Sequence, residues 1–182
     1  HWEKKQDASE RRRSMEIRIA GIVKESVVDG PGIRYVVFTQ GCPHHCPGCH
    51  NPQTHAFDGG ELKQTEDLLE QLGKNPLVRG LTLSGGEPLA QTEAVLQLTK
   101  GAKAMQKDVI LYTGYTWEQV LEKQKKEDAL KELLDQLWLV IEGPFLEAQK
   151  NLALPFRGST NQRVIDVAKS LASGQIMEYQ FS

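Results

Sequence analysis

Three cysteines, Cys42, Cys46 and Cys49, lie within eight residues of each other and are the only cysteines of the chain. An odd, clustered set of this kind argues against a disulfide framework and favours metal ligation. The spacing is C-x₃-C-x₂-C. It directly follows Arg34–Thr39, a run of β-branched and aromatic residues that predicts a strand. The sequence therefore predicts a metal-binding loop at the end of a strand.

The number of thiols indicates which metal group the loop binds. Three thiolates on one loop can hold three irons of a cubane [4Fe–4S] cluster and leave the fourth iron without a protein ligand. An open position of this kind distinguishes reactive metal sites from structural ones. Three alternatives remain at this point: a cluster that serves only electron transfer, three inert core cysteines, and a zinc site. In a zinc site the fourth ligand would be His44, His45, His50 or His55.

Length and charge limit the classes of protein to which the chain can belong. Its 182 residues predict a single domain, which we place at residues 15–182, with residues 1–14 as a disordered tail, a cloning remnant or upstream translated sequence. The net charge of −2 does not indicate a nucleic-acid-binding surface. The sequence has no apolar run of about 18 residues and no secretory pattern at its start. We therefore expect a cytoplasmic protein with no membrane contact.

From Met15 onward, predicted strands and helices alternate along the chain. The predicted strands are at Ile17–Val23, Arg34–Thr39, Gly80–Ser84, Val109–Tyr112, Trp138–Ile141, Arg163–Val167 and Ile176–Phe181. The predicted helices lie near Leu68–Leu72, over Ala94–Met105, after a capping box of Thr116 and Gln119, over Ala129–Leu137, and before the last strand. Such alternation predicts an α/β fold with a mostly parallel sheet. About six strand–helix units fit, fewer than a closed barrel needs, so we expect a partial (β/α) barrel or an open sheet with ligands at the carboxyl ends of its strands.

Further motifs give the chain a resemblance to a known family. The cysteine motif together with Gly85-Gly86-Glu87-Pro88 resembles the radical S-adenosylmethionine superfamily. The segment from Asp29 to Arg34 (DGPGIR) narrows the resemblance to the activating enzymes of glycyl radical proteins. Three more segments resemble the activating proteins of anaerobic ribonucleoside-triphosphate reductases: Tyr112–Tyr115, Ile141–Phe145 and Phe156–Arg163. The sequence departs from the family at Gly48, where the superfamily often has an aromatic residue, and at Glu142, where Asp is expected.

The resemblance implies a cofactor, a partner and a set of site residues. It implies a [4Fe–4S] cluster on the three cysteines, which are then the catalytic and metal-binding residues, and S-adenosylmethionine as the second cofactor. Cleavage of that cofactor would let its radical fragment take a hydrogen atom from a glycine of the large subunit of anaerobic ribonucleotide reductase. A flavodoxin- or ferredoxin-type protein would supply the electron. The residues implied to bind the cofactor are Ser84, Gly85, Gly86, Glu87, Thr113 and Tyr115, and those implied to contact the partner are Asp29, Gly30 and Arg34.

Other functions are compatible with parts of this pattern. Within the same chemistry, the chain could activate pyruvate formate-lyase or another glycyl radical enzyme, or act on a small metabolite. From another class, it could be a non-catalytic zinc or iron–sulfur binding module. Anaerobic reconstitution with iron separates the classes, because a cluster protein turns brown and a zinc protein stays colourless. The role of residues 157–162, toward the partner or toward the cofactor, stays open.

Overall fold

A computed structural model describes residues 14–44, 46–49 and 52–181. They form one seven-stranded sheet in the order β3-β1-β2-β4-β5-β6-β7. The strands are β1 (Glu16–Ser26), β2 (Arg34–Thr39), β3 (Glu61–Gln64), β4 (Gly80–Gly85), β5 (Asp108–Thr113), β6 (Leu139–Glu142) and β7 (Arg163–Asp166). Strands β2, β4, β5 and β6 run parallel, whereas β1 pairs antiparallel with β2 and β3, and β7 pairs antiparallel with β6. The predicted α/β class with an open, centrally parallel sheet is confirmed.

The described residues also form five α-helices. They are α1 (Thr65–Lys74), α2 (Thr92–Ala104), α3 (Trp117–Gln124), α4 (Asp128–Leu134) and α5 (Val167–Ser173). The predicted capping box begins α3, since the Thr116 hydroxyl accepts from Gln119 N at 3.2 Å and the Gln119 side chain accepts from Thr116 N at 2.9 Å. Across the described ranges, every helix is too short or too polar to cross a membrane.

The two faces of the sheet are covered differently. Alternate side chains of a strand point to opposite faces, and in β5 Val109 and Leu111 belong to the main core while Ile110 belongs to a small second cluster. The main core is completed by residues of all five α-helices. The opposite face carries no described α-helix, which leaves room there for a cavity at the strand ends.

The structure differs from the prediction at two elements, one strand that was not predicted and one predicted strand that is absent. Strand β3 was not predicted, because a four-residue strand with three exposed side chains has no apolar alternation. The predicted strand at Ile176–Phe181 is wrong, because that segment forms only one isolated bridge, between Glu178 and Ile165. Its apolar residues have another use, since the Tyr179 ring packs edge-on against Trp138 with ring centroids 5.5 Å apart.

The predicted tail lies almost wholly outside the described residues. Within it, only Ser14 is described, and its hydroxyl donates to the Gln64 side chain at 2.9 Å. The division into a tail and a single domain stays a prediction.

Candidate functional site

A cavity of about 750 Å³ opens at the carboxyl ends of the parallel strands. Its walls come from the ends of β2, β4, β5 and β6, from the cysteine loop, from the turn after β1 and from the segment between β6 and β7. The lining residues include Asp29, Cys42, Cys46, Cys49, Ser84, Gly85, Gly86, Tyr112, Thr113 and Arg157. The cavity is therefore at the position where the predicted sheet is expected to bind ligands.

Backbone hydrogen bonds hold the start of the cysteine loop in place. Gly41 N donates to the Thr54 carbonyl at 2.7 Å, and the Gly41 carbonyl accepts from Glu87 N at 2.8 Å. Cys42 N donates to the His55 carbonyl at 3.1 Å. The beginning of the loop is thus clasped between the segment after β4 and the turn at residues 52–55, and Cys42 is buried there.

The three cysteines form no disulfide with one another, and all three border the same cavity. Cys46 and Cys49 are partly exposed and are joined by a turn in which Cys49 N donates to the Cys46 carbonyl at 3.1 Å. The described ranges contain no group of three His, Cys, Asp or Glu side chains arranged around a single ion. Thiolates that bind different irons of a cluster lie farther apart than ligands that share one ion. The donor set and its opening into a large cavity are compatible with a cluster. His45 and His50, two of the alternatives for a fourth zinc ligand, lie outside the described residues.

Glu87 connects the cysteine loop to the end of β5. Its carboxylate is fully buried, and Oε1 lies 2.6 Å from Nε2 of His44. The same oxygen accepts from the Thr113 hydroxyl and from Gly114 N, each at 2.8 Å, while Oε2 accepts from Leu89 N at 3.0 Å. In this structure the carboxylate does not border the cavity, in contrast to the expectation that it receives the ammonium group of the cofactor.

Tyr115 also lies behind the cavity wall instead of in it. Its ring packs edge-on against His44 with centroids 4.5 Å apart, and Nζ of Lys123 lies 4.9 Å from its ring centroid. Tyr115 therefore supports the cysteine loop from outside. Thr113 borders the cavity, although its hydroxyl hydrogen already goes to Glu87.

Ser84, Gly85 and Gly86 border the cavity, and close packing explains the second glycine. A Cβ atom on Gly86 would lie 2.5 Å from the Gly41 carbonyl oxygen and 2.9 Å from that of Thr54. Those carbonyls belong to the clasp of the cysteine loop, so Gly86 is required by the protein itself. The sequence motif indicated close approach to a cofactor; the structure adds close approach to the cysteine loop.

The three residues expected to contact a partner occupy different environments. Asp29 borders the cavity, its side chain accepts from the Ser26 hydroxyl, and its carbonyl accepts from the Thr82 hydroxyl at 2.8 Å. Gly30 is buried, and a Cβ atom there would lie 2.6 Å from Cδ1 of Ile110. Of the residues expected to contact a partner, only Asp29 thus borders the cavity.

Arg34 is a correction to the predicted partner site. Its side chain is fully buried, with Nε donating to the Thr82 hydroxyl at 2.7 Å and Nη2 lying 2.6 Å from Asp108. Its Nη1 donates to the Pro31 carbonyl at 3.1 Å. Burial lowers the pKa of Arg34, and the Asp108 carboxylate opposes that shift. A side chain without exposed surface cannot contact a partner, so Arg34 instead fixes the loop before β2 against the sheet.

Two motifs of the resemblance form one structural unit after β6. The Gln162 side chain donates to the Gly143 carbonyl at 3.0 Å, and the Asn161 side chain donates to the Pro144 carbonyl at 2.8 Å. Glu142 is buried and accepts from Nε of Arg163 at 2.8 Å. Hydrogen bonding to Glu142 raises the pKa of Arg163. This unit carries Arg157, which reaches the cavity and whose role the sequence left open.

Sequence reasoning did not single out Tyr112 as a cavity residue. The ring of Tyr112 borders the cavity beside Asp29, on the face that lacks helices. Burial, with a smaller effect of the Asp29 carboxylate, raises the pKa of Tyr112, so its phenol stays protonated. The sequence offered one signal: Tyr112 lies two residues after Ile110, on the same face of β5 and near the carboxyl end of the strand.

Comparison with known proteins identifies the class of this site. The family described as "4Fe-4S single cluster domain" matches residues 28–165. Proteins named anaerobic ribonucleoside-triphosphate reductase-activating protein from Vibrio cholerae serotype O1, Escherichia coli (strain K12) and Enterobacteria phage T4 are 37%, 33% and 37% identical. The alignments cover 75%, 76% and 75% of this chain and 89%, 91% and 86% of those proteins. The crystal structure of QueE from Escherichia coli aligns over 92% of this chain and 95% of its own, with 18% identity and a TM-score of 0.48.

Three thiols on one loop and the matching family define an iron–sulfur protein with a single [4Fe–4S] cluster. Within that class, the chain belongs to the family of anaerobic ribonucleoside-triphosphate reductase-activating proteins.

Proposed function

We propose that this chain is an enzyme that cleaves S-adenosylmethionine reductively and generates a glycyl radical on anaerobic ribonucleoside-triphosphate reductase. The observation that carries the proposal is the placement of three cysteines without a disulfide on one loop that borders the cavity at the strand ends. Cys42, Cys46 and Cys49 would hold the cluster, with no fourth cysteine in the chain. The reduced cluster would supply the one electron that breaks the S–C5′ bond of the cofactor and releases methionine; the radical fragment would then take a hydrogen atom from the partner's glycine and leave as 5′-deoxyadenosine.

The residues at the strand ends would bind and position the cofactor. Ser84, Gly85 and Gly86 offer backbone groups with little side-chain bulk beside the cysteine loop, which suits a closely approaching ligand. Glu87 acts through His44, since it fixes the loop instead of touching the cavity. The Tyr112 phenol would supply a hydrogen-bond donor to the cavity, and its raised pKa keeps it neutral well into the alkaline range.

The partner's glycine would have to reach the cavity, and the exposed apolar residues at its rim support one place of entry. Val27 and Val28 are 70% and 71% exposed, and Leu152, in the segment between β6 and β7, is 78% exposed. All three border the cavity mouth. We place the glycine-bearing segment of the reductase between these apolar side chains, with Asp29 as its polar contact and Gly30 shaping the turn beneath. Arg34 has no part in this contact.

The proposal also includes an electron donor and a compartment. A flavodoxin- or ferredoxin-type protein would deliver one electron at a time to the cluster. Clustered thiols that form no disulfide suit a reducing compartment, which agrees with the prediction that the chain works in the cytoplasm.

The test reconstitutes the protein anaerobically and measures two products. The loaded protein is incubated with dithionite, S-adenosylmethionine and the reductase, and 5′-deoxyadenosine and the glycyl radical signal are quantified by chromatography and electron paramagnetic resonance. We expect both products, and neither with Cys46→Ala. Pyruvate formate-lyase in place of the reductase tests the other activase function and should yield no radical. A Cys46→Ala protein that keeps four irons and cleaves the cofactor would overturn the proposal.

A further inference from the structure

Arg157 brings a permanent positive charge to the cavity. Among the described residues that line it, Arg157 is the one side chain that is cationic at every physiological pH. Its Nε is inaccessible to solvent and has no hydrogen-bond partner within the described part of the chain. Buried donors in proteins are nearly always paired, so an orphaned guanidinium N–H at a cavity wall indicates that a ligand supplies its acceptor.

The backbone around Arg157 is held firmly enough to define a site. Gly158 N and Ser159 N both donate to the Gln162 side chain, at 2.8 and 3.1 Å. Gln162 in turn donates to the Gly143 carbonyl at 3.0 Å, directly after β6. These bonds fix the segment that carries Arg157 to the carboxyl end of the sheet, where the cysteine loop also lies.

The chemistry of the side chain selects the kind of ligand group. A guanidinium presents its N–H groups in a planar fork that matches a carboxylate with two parallel hydrogen bonds. S-adenosylmethionine carries one carboxylate, on its methionyl part. The exposed apolar rim at Val27, Val28 and Leu152 lies at the mouth, whereas Nε of Arg157 lies below the surface. Arg157 itself lines the cavity, so a carboxylate held inside the cavity can reach its guanidinium without the arrival of another protein.

We propose that Arg157 binds the methionyl carboxylate of S-adenosylmethionine and orients that cofactor in the cavity. The inference rests on the proposed function and adds to it a binding residue outside the cysteine and glycine motifs. It also gives a role to the segment from Phe156 to Arg163, which is otherwise occupied with internal hydrogen bonds.

The test is a binding cycle with two cofactors and two proteins. The affinity of the cluster-loaded protein is measured by anaerobic calorimetry for S-adenosylmethionine and for its decarboxylated analogue, in the parent protein and in Arg157→Gln. The analogue loses any bond from its carboxylate to iron in both proteins alike, so that contribution cancels in the comparison. We expect Arg157→Gln to weaken the binding of S-adenosylmethionine by about tenfold or more, and the binding of the analogue by less than about twofold.

Two further variants make the result specific. Lys150→Gln removes an exposed cation from the same segment and should leave both affinities unchanged. Arg157→Lys keeps the charge without the fork and should fall between the parent and Arg157→Gln. The inference would be overturned if Arg157→Gln weakened the binding of S-adenosylmethionine and of the analogue equally, or weakened neither. It would also be overturned if the variant bound S-adenosylmethionine normally but bound the reductase more weakly. A parent protein that binds no S-adenosylmethionine would instead overturn the proposed function.

Discussion

Nε2 of His44, in the cysteine loop, lies 2.6 Å from Oε1 of Glu87, a carboxylate with no exposed surface. Because Glu87 also accepts from the hydroxyl of Thr113 and from Gly114 N, the pair joins the loop to the end of β5. The middle of the loop is thus positioned by the sheet, independently of the backbone clasp at its start.

Removing this link should loosen the cluster before it unfolds the protein. His44→Ala deletes one donor to Glu87 and frees the loop between Cys42 and Cys46, so we expect faster iron release to a chelator with a loss of about 1–2 kcal/mol in unfolding free energy. The control is Asp166→Ala, which removes the cap of α5 at a similar cost, far from the loop. Equal rates of iron release in the two variants would contradict the assigned role.

Gly86→Ala should damage iron loading, because the added Cβ would meet the Gly41 carbonyl oxygen at 2.5 Å. The substitution pushes the clasp of the cysteine loop apart, so we expect fewer irons per protein after reconstitution and a weaker visible cluster band. Gly21→Ala is the matched control, since a Cβ there has nothing within 4 Å. A fully loaded Gly86→Ala protein would show that the clasp is dispensable.

Arg34→Met should destabilise the fold. It removes the fully buried partner of Asp108, and breaking a buried pair on one side costs about 3 kcal/mol. Arg79→Gln removes the other cation bound to Asp108, at 3.0 Å, but that side chain is 51% exposed and the loss should stay below about 1 kcal/mol. Urea unfolding of the unloaded proteins measures both, and similar losses would refute the distinction.

Asp29→Ala should separate the two products of the reaction. Asp29 borders the cavity directly after the exposed Val27 and Val28, whereas the thiols and Gly85–Gly86 belong to other segments of the lining. Cofactor cleavage does not need Asp29 in this proposal, but transfer to the partner also needs the glycine carbon held within about 3–3.5 Å. We expect 5′-deoxyadenosine to form while the glycyl radical falls about tenfold or more. A parallel loss of both would assign Asp29 to the cofactor.

Tyr35 should make stability sensitive to alkaline pH. Burial raises the pKa of Tyr35 to about 12, and its hydroxyl donates to the Gln71 side chain at 2.8 Å. The folded protein thus favours the neutral phenol, whose contribution is complete below the unfolded pKa of about 10 and is lost as pH rises toward 12. In Tyr35→Phe, the decrease in unfolding free energy between about pH 10 and pH 12 should be smaller by about 2–3 kcal/mol. An unchanged slope in unfolding experiments between these pH values would refute it.

The sequence predicted the parts of the molecule that rest on local pattern. Alternating apolar runs indicated the central strands, and Thr116 with Gln119 indicated the start of α3. The cysteine spacing indicated the metal loop. Strand β3 escaped prediction because its stability comes from pairing with β1 and not from its own residues.

Side-chain burial was harder to predict than position. Arg34 stands in a polar, glycine-rich motif, which indicated a surface loop, yet three strands meet around it and bury its guanidinium. Glu87 lies directly after the cavity-lining glycines, but its side chain points to His44 and Thr113. Such orientations depend on contacts between residues far apart in sequence, which no local motif records.

The clasp on Gly41 has a consequence for the durability of the protein. Because backbone bonds to Thr54 and Glu87 hold the start of the loop independently of any metal, we expect the sheet to stay folded when the metal is lost. Small zinc domains behave differently and unfold when their ion is removed. Damage by oxygen would therefore remove the cluster but leave the folded apoprotein. Repair then requires only fresh iron and sulfide, without new synthesis of the chain.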